Sequence, residues 1–390
     1  MKLKRLNITT ENWIKILLAS LIMLTIGVSL QSYLAGYHQT PEGMHSQINN
    51  YLIFKTSSQH LFHGLDIYTL HPADHYDYYK YSPAFAFFMA PFSLLPDWLG
   101  VIAWNLLNLL VLVAGLRSLP SLSTRQTIFI LLLGIFELVG SLMNEQSNAL
   151  MTGLMLLGIA NLEKGNPALA MLFLMFSVYI KIFSLVVFMV ILFYPKKVQS
   201  FFYGILWFLV FAFVPMLATG WNGLIDQYTS WYQLLQMDFD NSVGYSLLGV
   251  MHTWFGYNGS RGLVFLLGVL LMVLPLIKLS SYKERSFRYA VFSALLIWVI
   301  IFNHKAESPT FIIALTGIGL YFAIQKSGML NKILIASVLI FSSLVYSDLT
   351  PAVWRNELFH PYFIKAVPCI LVWAKIIYEV MTNRLQSLKA

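Results

Sequence analysis

Carboxylates in the longest polar stretch of this sequence, from about residue 35 to 80, are the first groups that could do chemistry. Asp66 follows Gly64 by two residues. A carboxylate near a low-dielectric surface can accept a proton from a hydroxyl, because desolvation raises its pKa. Asp66 is therefore a candidate general base, with a solvated loop acid as the alternative, whereas Asp74 and Asp77 are interpreted as solvated loop acids.

A second polar cluster, NEQSN at 144–148, interrupts a long apolar stretch. Five consecutive polar residues could simply satisfy the exposed ends of two helices. Their amide and hydroxyl groups could also orient a sugar or the hydroxyls of an acceptor. Glu145 is a second candidate base, with Glu42 behind it. Glu137, one to two turns earlier, is an acid within an apolar segment and must have a partner.

Cations form the third group of candidates. Lys181 is a lone cation in a long, mostly apolar run. At a helix break near the outer face it would be placed to bind a phosphate as a point charge, and the alternative is a lysine that snorkels to the interface. The segment NHKAESP at 303–309 combines His304, Lys305 and Glu307. It predicts phosphate binding or proton handling, with His304 the strongest candidate, unless it is only a loop turn.

Spaced acids in the segment 220–261 raise the question of a metal site. The polar residues of this segment are Asp238, Asp240, Asn241, Ser242 and Arg261. The stretch lacks the glycine and the terminal glutamate of an EF-hand loop, so no metal is predicted. The single cysteine, Cys369, excludes an intramolecular disulfide.

The elements that must position these residues follow from the composition. Hydrophobic residues make up 58% and charged residues 11% of the 390 residues, and the mean hydropathy is +0.69. Soluble domains carry about 25% charged residues. In lipid every backbone amide must be paired internally, and the long apolar runs favour helices over barrel strands. The sequence therefore predicts an all-α, polytopic integral membrane protein.

The net charge of +8 is spread over loops between apolar segments. This pattern is the positive-inside signature and excludes a nucleic-acid surface. It places the N-terminus, Arg117 with Arg125, and the other basic loops in the cytoplasm, and the long loop 35–80 outside. One inconsistency follows, because two helices between Tyr81 and Arg117 would return the chain to the outside. Either one of them is re-entrant or the placement of Arg117 is wrong.

About 11–13 transmembrane or re-entrant helices are predicted in one domain, 1–390, with short interfacial helices in the first outer loop and a second large outer segment at 220–261. Several apolar runs are shorter than the roughly twenty residues that a span needs. The predicted helices cover 14–34, 82–95, 98–116, 126–141, 144–162, 167–180, 182–194, 200–219, 262–279, 289–303, 308–325, 332–347 and 363–381.

Read in order, the polar clusters resemble glycosyltransferase family 87, which belongs to the GT-C class of membrane glycosyltransferases. The resemblance covers most of the chain and is carried by four segments: NNYLIFKTSSQHLFHGLDIY at 49–68, YKYSPAFAFFMAPFSLLP at 79–96, NEQSNAL at 144–150 and YIKIFSL at 179–185. It implies a GT-C fold and transfer of a sugar, typically mannose, from a polyprenyl-phosphate donor to a hydroxyl, with inversion. This reaction needs a general base near the acceptor hydroxyl and cations near the leaving phosphate.

The resemblance also assigns roles to residues of this chain. The family's early-loop Asp falls on Asn50, which cannot act as a base, so Asp66 is the expected replacement, with Glu145 and Glu42 behind it. Lys181, His304 and Lys305 are expected near the phosphate. The expected substrate-binding residues are Tyr68, Lys80, Tyr81, Gln146, Asn148, Lys181, Lys305 and Glu307.

The expected partners are the lipid bilayer of the cell membrane, the polyprenyl-phosphate sugar, and a glycolipid or glycan acceptor, with no cofactor and no nucleic acid. The oligomeric state is not predicted. Two other functions stay open: a lipid-linked glycan ligase or polymerase, and a non-enzymatic transporter of lipids or small molecules. A transporter would show two hydropathy-related halves, whereas here the polar residues gather on one face.

Overall fold

A computed structural model describes residues 9–40, 43–237 and 243–386, and these residues are mostly helical. Glu42, Asp238, Asp240, Asn241 and Ser242, named above, lie outside the described residues, as does the basic N-terminus. The α-helices are α1 (Thr10–Ala35), α2 (Asn49–Phe62), α3 (Pro83–Phe88), α4 (Ala90–Ser93), α5 (Asp97–Ser118), α6 (Thr124–Leu133), α7 (Ile135–Met143), α8 (Asn148–Glu163), α9 (Pro167–Ile180), α10 (Lys197–Phe213), α11 (Met216–Met237), α12 (Leu247–Phe255), α13 (Arg261–Val273), α14 (Arg285–Ile301), α15 (Phe311–Ala323), α16 (Met329–Ser337), α17 (Ala352–Trp354) and α18 (Ala366–Met381).

Shorter elements complete the described fold. The 3₁₀ helices are Ile182–Phe193, Leu274–Ile277, Leu279–Lys283, Ser308–Thr310 and Leu344–Tyr346, and the π-helical turns are Val338–Ser343 and Arg355–Phe359. The strands β1 (Tyr37–Thr40) and β2 (Gly43–Ser46) pair antiparallel, with Tyr37 opposite Ser46. The first outer loop therefore contains a small hairpin besides its helix α2, where the sequence predicted only short helices.

Three helical runs among the described residues are long and apolar enough to cross a membrane: Thr10–Ala35, Asp97–Ser118 and Met329–Tyr346. The number rises to five if each of two bent pairs is one span. The first pair, α6 and α7, bends by 56°, and the second, α10 and α11, bends by 88°. Four shorter apolar helices, Pro167–Ile180, Ile182–Phe193, Arg261–Ile277 and Ser308–Ala323, are broken or half-length pieces.

The segment 82–95 accounts for the inconsistent count of crossings before Arg117. It forms α3, of six residues, and α4, of four residues. At a rise of about 1.5 Å per residue neither crosses a bilayer, so only α5 crosses between Tyr81 and Arg117. A single crossing in this part of the chain is consistent with an outer Tyr81 and a cytoplasmic Arg117.

The basic loops meet at one end of the helix bundle. Thr124 donates a hydrogen bond to Glu11 over 2.8 Å, and Lys196 donates one to the carbonyl of Gly165, also over 2.8 Å. The carboxylate of Glu163 accepts from Arg288 over 2.6 Å. The polar clusters meet at the other end, about 23 Å away, because they surround the first residue of α8 and Glu163 is its last residue.

Close helix packing holds the two ends in place. At the crossing of α5 and α8, a side chain on Gly115 would come within 2.7 Å of the carbonyl oxygen of Gly153. Glycines permit such close approach between membrane helices. The apolar core runs from α1 through α5 and α8 to α14, α15 and α18. Residues 216–237, which the sequence placed mainly in an outer segment, extend this frame as a helix bent at Gly220, whose φ is +68°.

Candidate functional site

The polar end of the bundle encloses a cavity of about 310 Å³, called here the Lys181 cavity. Five pieces of the chain surround it: the first outer loop, the 144–147 turn, the break at Lys181, the helix α11, and the 303–310 loop. Its polar and aromatic lining residues are Asn50, Asp77, Tyr78, Lys80, Tyr81, Gln146, Lys181, Trp231, Asn303, Lys305, Glu307 and Thr310.

Lys181 lies where one helix ends and another begins. α9 stops at Ile180 because Lys181 adopts an extended conformation, with φ −140° and ψ 122°, before the 3₁₀ helix Ile182–Phe193. Its Nζ donates to Oδ1 of Asn148 over 3.0 Å and to Oε1 of Gln146 over 3.3 Å. Among the described residues no carboxylate lies within ion-pair distance of this ammonium group. Its charge is therefore oriented but not neutralised.

The 144–147 turn is fixed from three sides. The carbonyl of Glu145, whose φ is +44°, accepts from Nε1 of Trp104 over 2.8 Å. The carbonyl of Asn144 accepts from Nδ2 of Asn50 over 2.9 Å. Asn148 reaches across to the 303–310 loop, where its Nδ2 donates to the carbonyl of Pro309 over 3.1 Å. These bonds place the amide oxygens that hold Lys181.

The first outer loop forms another wall. The Tyr68 hydroxyl donates to the carbonyl of Tyr81 over 2.9 Å, and Nε1 of Trp231 donates to the carbonyl of Lys80 over 3.2 Å. The Tyr81 ring lies 5.5 Å from the Lys181 ammonium group. Burial, followed by the charge of Glu307, raises the pKa of the Tyr81 phenol, which therefore stays protonated.

A buried ion pair contacts the 303–310 loop through Ser308. Nζ of Lys365 lies 2.8 Å from Oε1 of Glu137 and donates to the Ser308 hydroxyl over 2.6 Å. The side chains of Lys365 and Glu137 are 1% and 5% exposed. Lys365 is thus the partner that the sequence required for Glu137, and it connects α7 and α18 to the edge of the cavity.

Most of the residues singled out in the sequence converge on this cavity. Asn50, Lys80, Tyr81, Gln146, Lys181, Lys305 and Glu307 line it. Tyr68 and Asn148 lie just behind, through hydrogen bonds to Tyr81 and Lys181.

Asp66, Glu145 and His304 do not line the cavity. Asp66 accepts from the amide of Tyr68 over 2.9 Å and from the Ser230 hydroxyl over 2.8 Å, so both of its oxygens are engaged. Glu145 is 1% exposed. His304 lines a separate cavity of about 420 Å³. The carboxylates that line the Lys181 cavity are instead Asp77 and Glu307.

Three lining residues were not assigned to the site from the sequence. Asp77 has a φ of +79°. No local sequence pattern predicts this left-handed backbone conformation for an Asp between Tyr76 and Tyr78. Trp231 belongs to the helix α11, which the sequence did not predict. Asn303 lines both this cavity and the one that holds His304. A hydrophobic period over 216–237 is the one signal that could have found Trp231.

Comparison with known proteins gives a family and a fold. The model of "Glycosyltransferase family 87" matches residues 79–330. The crystal structure of ArnT from Cupriavidus metallidurans in the apo state is similar at 12% identity and a TM-score of 0.50, covering 96% of this chain and 78% of that one. A structure of the same protein bound to undecaprenyl phosphate matches at 12% identity and a TM-score of 0.42, covering 95% and 78%. No curated protein matches this chain.

Proposed function

The chain belongs to glycosyltransferase family 87 and has the GT-C fold of polytopic membrane glycosyltransferases, and on that premise we propose a reaction for the Lys181 cavity. The enzyme transfers a sugar, with mannose the first candidate, from a polyprenyl-phosphate donor to a hydroxyl of a glycolipid or glycan. Transfer takes place at the extracytoplasmic face of the cell membrane. It inverts the configuration at C1 of the sugar.

The observation that carries this proposal is the Lys181 ammonium group, which two neutral amides orient and which forms no ion pair with a described carboxylate. A lysine is a point charge with rotatable donors and suits a phosphate whose negative charge grows as it leaves. Charge-assisted hydrogen bonds of this kind are about twice as strong as neutral ones. Lys305 lines the same cavity and adds a second positive charge.

An apolar groove beside the cavity suits the lipid chain of the donor. This groove, of about 820 Å³, lies between α9, α10 and α11 and is lined almost entirely by apolar and aromatic side chains. Ile182 and Trp231 line both spaces. A donor with its phosphate at Lys181 would therefore have an apolar space directly beside it for its first isoprene units.

We propose Asp77 as the general base, with Glu307 as the second carboxylate of the cavity. Asn50 occupies the position of the family's Asp and cannot accept the proton. Asp66 does not line the cavity, whereas Asp77, which accepts from the Tyr78 amide over 2.7 Å and lies 3.5 Å from Nζ of Lys80, does. In the reaction the base takes the proton of the acceptor hydroxyl, whose oxygen forms a bond to C1 of the sugar. The bond from C1 to the phosphate oxygen breaks, and the phosphate leaves with the electron pair. The transfer needs no cofactor and no metal.

The experiment uses the purified full chain in nanodiscs with a radiolabelled polyprenyl-phosphate mannose donor and a membrane glycolipid fraction. Lys181→Met keeps the length of the side chain and removes its charge, and we expect kcat/KM to fall about 10²–10³-fold. Lys164→Met, an exposed lysine at the opposite end of α8, is the matched control and should not change the rate.

Two results would overturn the proposal. One is an inactive wild-type protein that neither transfers nor hydrolyses nor binds the donor. The other is an active protein in which Lys181→Met and Lys164→Met behave alike.

A further inference from the structure

Imidazole and carboxylate groups gather in the first outer loop, away from the Lys181 cavity. His60 lies near the end of α2, and His71 and Asp74 lie in the loop that follows. Nε2 of His60 is 3.1 Å from Oδ2 of Asp74, and the ring centres of His60 and His71 are 4.0 Å apart. One possible ligand atom from each of the three residues lies within 4.8 Å of the others. None of the three lines the Lys181 cavity.

A hydrogen bond fixes the tautomer of His71 in a form that suits a metal. Its Nε2 lies 2.9 Å from the carbonyl oxygen of Asp66. Because a carbonyl oxygen only accepts, Nε2 must carry the hydrogen, and Nδ1 keeps its lone pair. A backbone carbonyl that holds the second nitrogen is the usual support of a metal-binding histidine.

A buried histidine lies beside these three residues. His75 is 5% exposed, and neither of its ring nitrogens makes a hydrogen bond of ordinary geometry to a described residue. Its ring centre is 6.0 Å from that of His71. A buried polar group that lacks a partner costs about 1–3 kcal/mol. A metal ion with its bound water would supply the missing partner.

We propose that His60, His71 and Asp74 bind a zinc ion, and that His75 closes the site on its buried side through a metal-bound water. Two imidazoles and one carboxylate form a ligand set that zinc accepts. Zinc–ligand bonds of about 2.0–2.2 Å place tetrahedral ligand atoms about 3.3 Å apart. The distance between His60 and Asp74 already fits, and the candidate ligand atoms of all three residues lie within 4.8 Å of one another. The ion fastens the end of α2 to the loop that leads to Asp77.

The test measures zinc binding directly. Full-length protein without a polyhistidine tag is stripped with a chelator in detergent and titrated with Zn²⁺ by calorimetry, with metal content measured afterwards. We expect one zinc ion per chain. His71→Ala and Asp74→Asn should each weaken the affinity roughly tenfold or more. His252→Ala, in α12, is the matched control and should bind like the wild type.

Two features keep the test decisive. The Asp74 side chain is 42% exposed, so Asp74→Asn does not disturb folding. Co²⁺ gives visible absorption bands that report tetrahedral nitrogen and oxygen ligands, and these bands should vanish in His71→Ala. The proposal is wrong if the wild type binds less than one zinc per chain, or if both variants bind zinc as the wild type does. Sugar transfer is measured separately, because neither result bears on the chemistry at Lys181.

Discussion

The ammonium group of Lys181 has neutral partners although it lies among apolar helices. Gln146 and Asn148 point their amide oxygens at it, so the group is held in one place without an ion pair to a described carboxylate. A carboxylate partner would have been a structural ion pair that an incoming phosphate must break. The amides instead leave an electrostatic site for an anion, at the junction of an aqueous cavity and an apolar groove.

The choice of base can be tested with carboxamide substitutions. Asp77→Asn should lower kcat about 10²–10⁴-fold, because the acceptor hydroxyl loses the group that takes its proton. Asp66→Asn is the control, since Asp66 does not line the cavity, and it should keep kcat within a few-fold. The rates are compared at saturating donor. The opposite pattern would return the base to Asp66, and a large loss in Glu307→Gln alone would assign it to Glu307.

A pH dependence of stability should arise from Glu145. Its side chain is buried, Oε1 has no hydrogen-bond partner among the described residues, and burial raises its pKa well above the usual value. The folded state thus prefers the protonated carboxyl. The stability that this group contributes is complete below the unfolded pKa, about 4.3, and is lost as the pH rises toward the folded pKa.

Glu145→Gln removes that loss, so its Tm should exceed that of the wild type by a margin that grows between pH 5 and pH 8. Thermal unfolding of both proteins at several pH values gives the measurement. A margin that is constant or shrinks with rising pH would contradict the protonated, buried carboxyl.

Lys181 was assigned to the site from the sequence, whereas Asp77 was interpreted as a solvated loop acid, and the difference has a physical origin. A cation inside an apolar run stands out in a sequence because removing a charged group from water is energetically costly. Which of several loop acids faces a cavity depends on backbone angles and distant partners. Ser230, whose hydroxyl binds Asp66, lies 164 residues away along the chain. No local pattern contains that information.

At the scale of elements, the ion pair between Glu137 and Lys365 joins α7 and α18 below the cavity. Removing one partner of a buried pair leaves the other charge unpaired and typically costs about 3–5 kcal/mol. Glu137→Gln and Lys365→Met should each destabilise the protein by that amount. The double variant should recover most of the loss. Denaturant unfolding in detergent measures the cycle.

A surface pair supplies the comparison for this cycle. Arg355 and Asp348 are 2.9 Å apart, but the Asp348 side chain is 90% exposed, so Asp348→Asn should change the free energy of unfolding by no more than about 1 kcal/mol. If the two single variants of the buried pair are as stable as Asp348→Asn, the pair does not hold the loop.

The apolar helices were predictable because long runs of apolar residues have few alternatives in a membrane protein. The boundaries of α5, α9 and α18 agree with the sequence within a few residues. The helix α11 was missed because polar residues interrupt its pattern, and its first turn carries a bend at Gly220. The hairpin β1–β2 was missed because strands of four residues are too short to show a clear alternation of apolar and polar residues.

At the scale of the whole molecule, the fold separates a basic end from a polar, aromatic end, with α8 running between them. The positive-inside pattern predicts that the basic end lies in the cytoplasm and that the Lys181 cavity opens on the other side. The single native cysteine, Cys369, is buried, which makes introduced cysteines clean reporters.

The orientation can therefore be tested with a membrane-impermeant thiol reagent on intact cells. A cysteine that replaces Thr69 in the first outer loop should be labelled. A cysteine that replaces Lys283 in the basic segment should be labelled only after the membrane is opened. The reverse labelling pattern would invert the topology and move the reaction to the cytoplasm.

The most direct test of the central claim is an electron cryomicroscopy structure of the protein in nanodiscs with polyprenyl phosphate. We expect phosphate oxygens at about 2.7–2.9 Å from Nζ of Lys181, the distance of a charge-assisted hydrogen bond. We also expect the first isoprene units to lie in the groove between α9, α10 and α11. A phosphate bound instead beside Arg261 and His304 in the neighbouring cavity, with the Lys181 cavity empty, would contradict it.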